Sequence, residues 1–285
     1  MSAADALARP LRAIGLVVIG RNEGERLRRC LGSIDGARYP VVYVDSGSTD
    51  GSVAMARAMG AEVVELDTGV PFTAARARNA GWRRLIELAP EVAAIQFVDG
   101  DCEVEAEWLE KAAGFLAANP TTAVVCGRRR ERFPQSSPYN AMCDAEWNTP
   151  VGPALACGGD SMMRATALAA VGGFNPAIVA GEEPEMCGRL RAEGWAIWRI
   201  AAPMTIHDAA IGRFGQWWVR AVRSGFGYAQ TFAATRAGGH GLYRRELGRA
   251  ALWGGLIPVL ALAAVAAGQP LVAGALAAGW IAQSL

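Results

Sequence analysis

The stretch Ile95-Gln96-Phe97-Val98-Asp99-Gly100-Asp101 decides the fold. A run of mostly apolar, β-favouring residues ends abruptly in two carboxylates separated by one glycine, which reads as a buried strand with an acidic tip. In an open α/β sheet the ligand crevice lies at the carboxyl ends of the strands, so such a tip can hold a hard cation against a phosphate. Asp99 and Asp101 are therefore the first candidate site residues. Taken alone, an Asp-Gly turn capping the next helix has the same appearance.

Working outward, the same unit recurs. Ile14–Ile19 is a short β-rich run, followed by the polar Arg21-Asn22-Glu23 and a helical pattern with Leu27, Leu31 and Ile34 on one face. Val41–Val44 leads through Asp45 and a Ser/Gly/Thr loop into a helix predicted over Ser52–Met59. A third strand, Glu62–Leu66, precedes a helix predicted over Thr73–Leu88, and the Asp99 strand comes next. Alternating strands and helices imply a doubly wound, mostly parallel α/β sheet flanked by helices.

Beyond Asp101 the pattern predicts a helix near Ala106–Ala118 and a strand at Ala123–Cys126. Arg128-Arg129-Arg130 then reads as a solvated strand edge or loop. Residues 133–160, rich in Pro, Ser, Asn and Gly, read as a long loop bordering an acceptor site. Glu182 and Glu183 open a further helix, where carboxylates suit the positive end of the helix dipole.

Composition bounds the class. With 285 residues, 52% hydrophobic content and a net charge of +1, the chain has ample core and no overall charge bias toward nucleic acid. Six cysteines without a C-x-x-C pair argue against a zinc knuckle or disulfide framework and suit a reducing cytoplasm. No apolar leader precedes Ile14, and Ile14–Ile19 is too short to be one.

Charge is uneven, however. From Arg213 to Arg249 seven arginines face one acid, Glu246, and Ala250–Ala267 then carries no charge. That length approaches the roughly 30 Å hydrocarbon core, and a basic flank marks the cytoplasmic side. Gly268-Gln269-Pro270 breaks the run, and Leu271–Leu285 is again uncharged, whether as a return helix, a re-entrant piece or part of a longer region. The expected domains are an N-terminal extension over 1–13, a catalytic domain over 14–212, a basic amphipathic juxtamembrane segment over 213–249, and hydrophobic membrane segments over 250–285.

The ordered motifs VVIGRNE, VDSGSTDG, ARARNAG, FVDGD, CGGDSMMRATALAAVGGF and GEEPEMCGRLRAEGW resemble those of the family 2 glycosyltransferases over residues 14 to 230. The resemblance implies a GT-A fold, the nucleotide-diphospho-sugar transferase type, and an inverting transfer that depends on Mg²⁺ or Mn²⁺. It places Asn22, Glu23, Asp45, Arg78 and Asp99 around the nucleotide sugar, with a UDP-sugar as the expected donor. An Asp45 carboxylate can accept from uracil N3–H, although a turn or helix cap uses the same residue. Arg78 faces ribose or phosphate on this reading and solvent on the plainer one.

Within the same resemblance, Asp101 and Asp99 match the D-x-D motif and His207 is a third candidate for the metal. Glu183 takes the place of the base that deprotonates the acceptor, with Glu182 beside it as the alternative; the family's commoner pair is Glu-Asp. A helix-start pair of acids serving only the dipole, and a structural histidine, are the competing readings. Gly159, Asp160 and Trp217 are acceptor-side candidates. RFGQWWVRAVRSGFGYAQ resembles the segment that related enzymes close over the donor, which makes Arg220 and Arg223, three apart on one helix face, further nucleotide-sugar-binding candidates that suit phosphates or, alternatively, lipid headgroups. The strict Q-x-x-R-W of processive synthases is absent.

These features lead to the expectation of a membrane-attached transferase acting on a lipid-linked or cell-envelope glycan at the cytoplasmic face of the cell membrane. A soluble or protein acceptor, or a non-catalytic nucleotide-sugar-binding scaffold, are the alternatives. No nucleic-acid partner is expected.

Overall fold

The computed structural model describes residues 13–236 and 241–284. The extension expected over 1–13 therefore lies almost wholly outside the described residues. Four strands form the first half of the sheet: β1 (Ile14–Gly20), β2 (Val41–Asp45), β3 (Glu62–Glu65) and β4 (Ala94–Asp99). They are parallel in the order β3-β2-β1-β4. Helices α1 (Glu25–Gly32), α2 (Ser52–Ala58) and α3 (Ala74–Leu88) make the crossovers.

Leu16, Val17 and Val18 of β1 are all fully buried, as expected of a central strand covered on both faces. Gln96 is the polar interruption in β4. It is buried too, and accepts from the Trp108 indole N–H at 2.7 Å, so its burial leaves no stranded acceptor.

Past Asp99 the sheet becomes mixed. β5 (Cys102–Val104) precedes α4 (Trp108–Ala118), and β6 (Thr122–Glu131) precedes α5 (Pro138–Glu146). Then come β7 (Gly152–Pro153), β8 (Ser161–Arg164), α6 (Ala165–Ala170), α7 (Glu182–Ala192) and β9 (Ala196–His207). β8 inserts antiparallel between β4 and β6; β9 runs parallel to β6 and carries β5 and β7 antiparallel.

Two local expectations are corrected here. The basic run is not a loop, because β6 continues through Arg128–Arg130 paired to β9. Nor is 133–160 structureless, since α5 lies within it. Ser137 starts that helix by accepting from the Asn140 N–H at 3.0 Å with Pro138 at the first position, a capping signal present in the sequence.

The C-terminal part is an arm. α8 (Phe214–Thr235) packs on α7 through buried Gly227 and Thr231, and Gln230 bonds Ala177 and Val179. A continuous helix then spans Arg244–Ala266, comprising α9 (Arg244–Ala251), a π-helical turn over Leu252–Leu256 and α10 (Ile257–Ala266). α11 (Pro270–Ser284) folds back on it, and the Trp280 indole donates to the Trp253 carbonyl.

Candidate functional site

Because β1, β2 and β4 are parallel, their carboxyl ends share one edge, and Asn22, Glu23, Asp45 and Asp99 gather there. Asp45 is buried and occupied with shaping its loop. It accepts from the Gly47 and Ser48 N–H groups, both at 2.8 Å, and from the Tyr43 hydroxyl. Asn22, at φ 57°, accepts from the Thr49 N–H at 2.7 Å and so ties the β1 loop to the β2 loop. Glu23 is pushed up from the ordinary carboxylate range by burial and by the Asp101 charge.

Arg78 is a buried hub. Thr73 caps α3, its hydroxyl accepting from the Arg76 N–H, and this start turns Arg78 inward in the second turn. Its guanidinium reaches Glu182 at 2.5 Å, Glu183 at 3.0 Å and Asp99 at 2.9 Å. Burial alone would push its pKa down, but the Glu183, Asp99 and Glu182 carboxylates outweigh that and hold it charged. The solvent-facing alternative for Arg78 does not apply.

A second arginine, the partly buried Arg129, completes the network. It bridges Asp160 at 2.8 Å and Asp99 at 3.2 Å, and Asp160 also accepts from the Asp99 N–H and the Thr205 hydroxyl. Asp160 is fully buried, so it anchors the network instead of facing open space. Gly159 lies over the same cluster: a Cβ there would stand 2.6 Å from an Asp99 oxygen and 2.7 Å from Arg78.

Asp101 belongs to a different cluster. The His207 Nε2 lies 3.2 Å from its carboxylate, and Nδ1 faces Glu131 at 3.6 Å, buried and without a hydrogen-bond partner. Burial pushes Asp101 up, yet His207 and Arg129 more than compensate and hold it at about 2. Burial lowers His207, and Asp101 and Glu131 lift it to about 9. Asp101, Cys102 and His207 bring ligand atoms within 4.8 Å of one another. The Asp101 carboxylate and the neighbouring His207 Nε2 are donor types that fit a divalent cation, and without one a protonated His207 supplies the positive charge beside Asp101. The Asp99–Cys102–Asp160 group is equally close, but arginines already engage both of its carboxylates.

Glu182 and Glu183 start α7 after Gly181, which is left-handed at φ 90°. A side chain at Gly181 would also collide with the Thr231 hydroxyl of α8, which donates to the Gly181 carbonyl at 3.1 Å. Glu182 is buried on Arg78. Glu183 instead lines a cleft of about 760 Å³, within the range of small-molecule sites. Its pKa is raised to about 7 by burial and by Glu182, against the pull of Arg78. The cleft is bounded opposite by α8, including Arg220 and Arg223, and Asp160 lies in its floor. Trp217 stacks on Tyr139, at 6.1 Å between ring centres.

Arg129, Glu131 and Trp147 are site residues that the sequence reading missed. Strand alternation carried past Cys126 would have put Arg129 and Glu131 on one face. Trp147, edge-on to His207 at 4.7 Å and 5.5 Å from Arg129, follows α5, which was read as loop.

The fold is that of the GT-A class. Residues 16–150, just under half of the chain, match the family model Glycosyl transferase family 2, so this part of the chain is a domain of that family. It is 29% identical over 112 residues to the glycosyltransferase AglE of Haloferax volcanii, a match covering 36% of this chain and only 35% of that protein. Its fold superposes on the mannosyltransferase PcManGT of Pyrobaculum calidifontis, solved with GDP-Man and Mn2+, with a TM-score of 0.68 and 19% identity over 96% of this chain and 81% of that one. S. aureus TarS gives a TM-score of 0.53 at 17% identity, over 68% of this chain and 36% of that one. At these identities the structures show the fold alone.

Proposed function

We propose that this chain transfers a sugar, with inversion, from a nucleoside-diphospho-sugar to a hydroxyl of a lipid-linked or cell-envelope glycan at the cytoplasmic face of a membrane. The observation that carries the reading is Glu183: a carboxylate at the cleft surface, raised to about 7 and held by the arginine that also holds Asp99 of the D-x-D motif. A base with a pKa near the working pH combines ionisation with proton affinity. As the acceptor oxygen bonds to the anomeric carbon, its proton passes to Glu183, and the bond to the diphosphate breaks from the opposite face with the electron pair leaving on the diphosphate.

Asp101 and His207 would hold Mg²⁺ or Mn²⁺, and such an ion stabilises charge on a departing diphosphate. PcManGT, which shares the fold, was solved with GDP-Man and Mn2+, in keeping with that assignment. Asn22 and Asp45 shape the loops over the nucleotide, while Arg78 fixes Asp99 and the base in one rigid frame. Helix Arg244–Ala266, about 35 Å long at 1.5 Å per residue, matches a bilayer core, and its most apolar window is wholly unburied.

The test is a screen of UDP- and GDP-sugars for divalent-ion-dependent binding and turnover, with and without lipid-linked and soluble glycans. Transfer only with a lipid-linked acceptor supports the reading. Nucleotide-sugar binding with neither hydrolysis nor transfer to any acceptor supports the scaffold instead.

A further inference from the structure

The cleft has two walls of different character. On the α7 side stand Glu183 and, below it, Asp160, each already matched by an arginine, the buried Arg78 and the partly buried Arg129. On the α8 side stand Arg220 and Arg223. Arg220 makes a two-pronged pair with Glu146, at 2.9 and 3.2 Å, in an exposed setting where such pairs contribute little. Every acid of the cleft thus already has an arginine partner, Arg78 and Arg129 being shared with other carboxylates, whereas Arg223 has no ion pair among the described residues and lies three residues, about one turn, from the loosely held Arg220. None of Asn22, Glu23, Asp45, Asp99 or Asp101 lines this cleft, which meets their edge through Arg129 and Asp160, both bonded to Asp99, while Arg220 and Arg223 stand on the α8 wall.

The outer face of the same helix is apolar. Phe214, Trp218, Val219, Val222 and Phe226 are each 55 to 58% exposed, and 214, 218, 222 and 226 repeat every four residues, which makes one continuous stripe. Val219 also lines the cleft, so the stripe begins where the cationic wall ends. The chain then continues from α8 toward the unburied apolar helix Arg244–Ala266. A ligand that uses both features has an anionic group joined to a hydrocarbon, whereas a free glycan or a neutral alcohol would use at most one.

We propose that the α8 wall binds the phosphate of an acceptor carried on a hydrocarbon chain: Arg223 and then Arg220 hold the phosphate, and Val219, Val222 and Phe226 receive the start of the hydrocarbon. This deepens the transferase reading and rests on it, because the glycan hydroxyl must extend from that phosphate to Glu183. A guanidinium suits the role, since its planar fork matches phosphate oxygens two at a time.

The test uses the full chain in a neutral detergent, with citronellyl phosphate as probe and binding read by calorimetry. The parent should bind citronellyl phosphate at least about tenfold more tightly than citronellol. Arg223→Ala should lose about tenfold or more of that affinity and Arg223→Lys should retain part of it, while UDP and GDP affinity with Mn²⁺ stays within about twofold. Arg223 is exposed and has no ion pair among the described residues, so neither variant threatens the fold. Equal binding of citronellol and citronellyl phosphate overturns the proposal. So does a loss confined to the nucleotides, which would move Arg223 to the donor, or a loss confined to phosphatidylglycerol vesicles, which would make it a bilayer contact. Failure of the parent to bind any nucleotide would count against the transferase reading and leave the prenyl phosphate comparison intact.

Discussion

The carboxyl edge of the sheet and the C-terminal arm solve opposite problems. At the edge, charged side chains are buried and matched within the chain: Arg78 takes Asp99, Glu182 and Glu183, and Arg129 takes Asp160 and Asp99. Along the arm, large apolar side chains from Phe214 to Ile281 stay exposed. The first region is complete on its own and therefore rigid; the second shows the kind of surface that soluble monomers seldom leave uncovered. Charge is matched where the chain closes on itself, and the exposed apolar surface lies on the arm.

The sharpest break in this contrast comes from the metal cluster. Asp101→Asn keeps volume but removes the charged donor, so turnover that depends on Mg²⁺ or Mn²⁺ should vanish and nucleotide affinity should fall only when the ion is present. Equal ion-dependent turnover in parent and variant would remove the cluster from the site. Next in size is Arg78→Ala. It strands Glu182 and Glu183 and leaves Asp99 to Arg129 alone, and breaking a buried ion network costs about 3–5 kcal/mol, measurable as a lowered denaturation midpoint at constant m-value. A loss below about 1 kcal/mol would mean that water already reaches the hub.

The arm gives the converse test. Deleting residues 250–285 should release the chain from membranes while shifting the thermal midpoint of the sheet domain only slightly, because the hydrophobic core that holds that domain lies before residue 205. Aggregation of the truncated chain as an unfolded species would show that the arm belongs to the globular core.

The smallest effect expected is one of pH. Glu183 ionises at about 7 in the fold, so transfer should rise with pH through about 7. Stability from the same group runs the other way. Its folded pKa lies above the unfolded value near 4.5, so the contribution is complete below that value and is lost as pH rises through about 7. Glu183→Gln should flatten the stability trend; an unchanged slope would assign it to another group.

What the sequence disclosed follows the same division. The β1 to β4 units, the acidic tip at Asp99 and Asp101 and the Glu182-Glu183 helix start were legible because each is local: periodicity, a glycine, a cap. Arg129 was not, since its role depends on β6 continuing beside β9 and on β8 bringing Asp160 across from 31 residues later in the chain. Asp45 could be read as a nucleotide ligand or as a turn residue, and in the fold its carboxylate holds the turn. His207 was singled out as one of only two histidines, but its link to Asp101 is a β5–β9 pairing that no short window contains.

The most direct test of the central claim is a paired measurement of donor affinity and transfer rate for Glu183→Gln and Glu182→Gln at saturating nucleotide sugar and divalent ion. A base acts on the acceptor proton, so Glu183→Gln should keep the parent's donor affinity and lose about 100- to 10,000-fold in rate, and Glu182→Gln, behind it on Arg78, should lose less. Normal transfer by Glu183→Gln, whatever Glu182→Gln does, would contradict the assignment of Glu183 as the base.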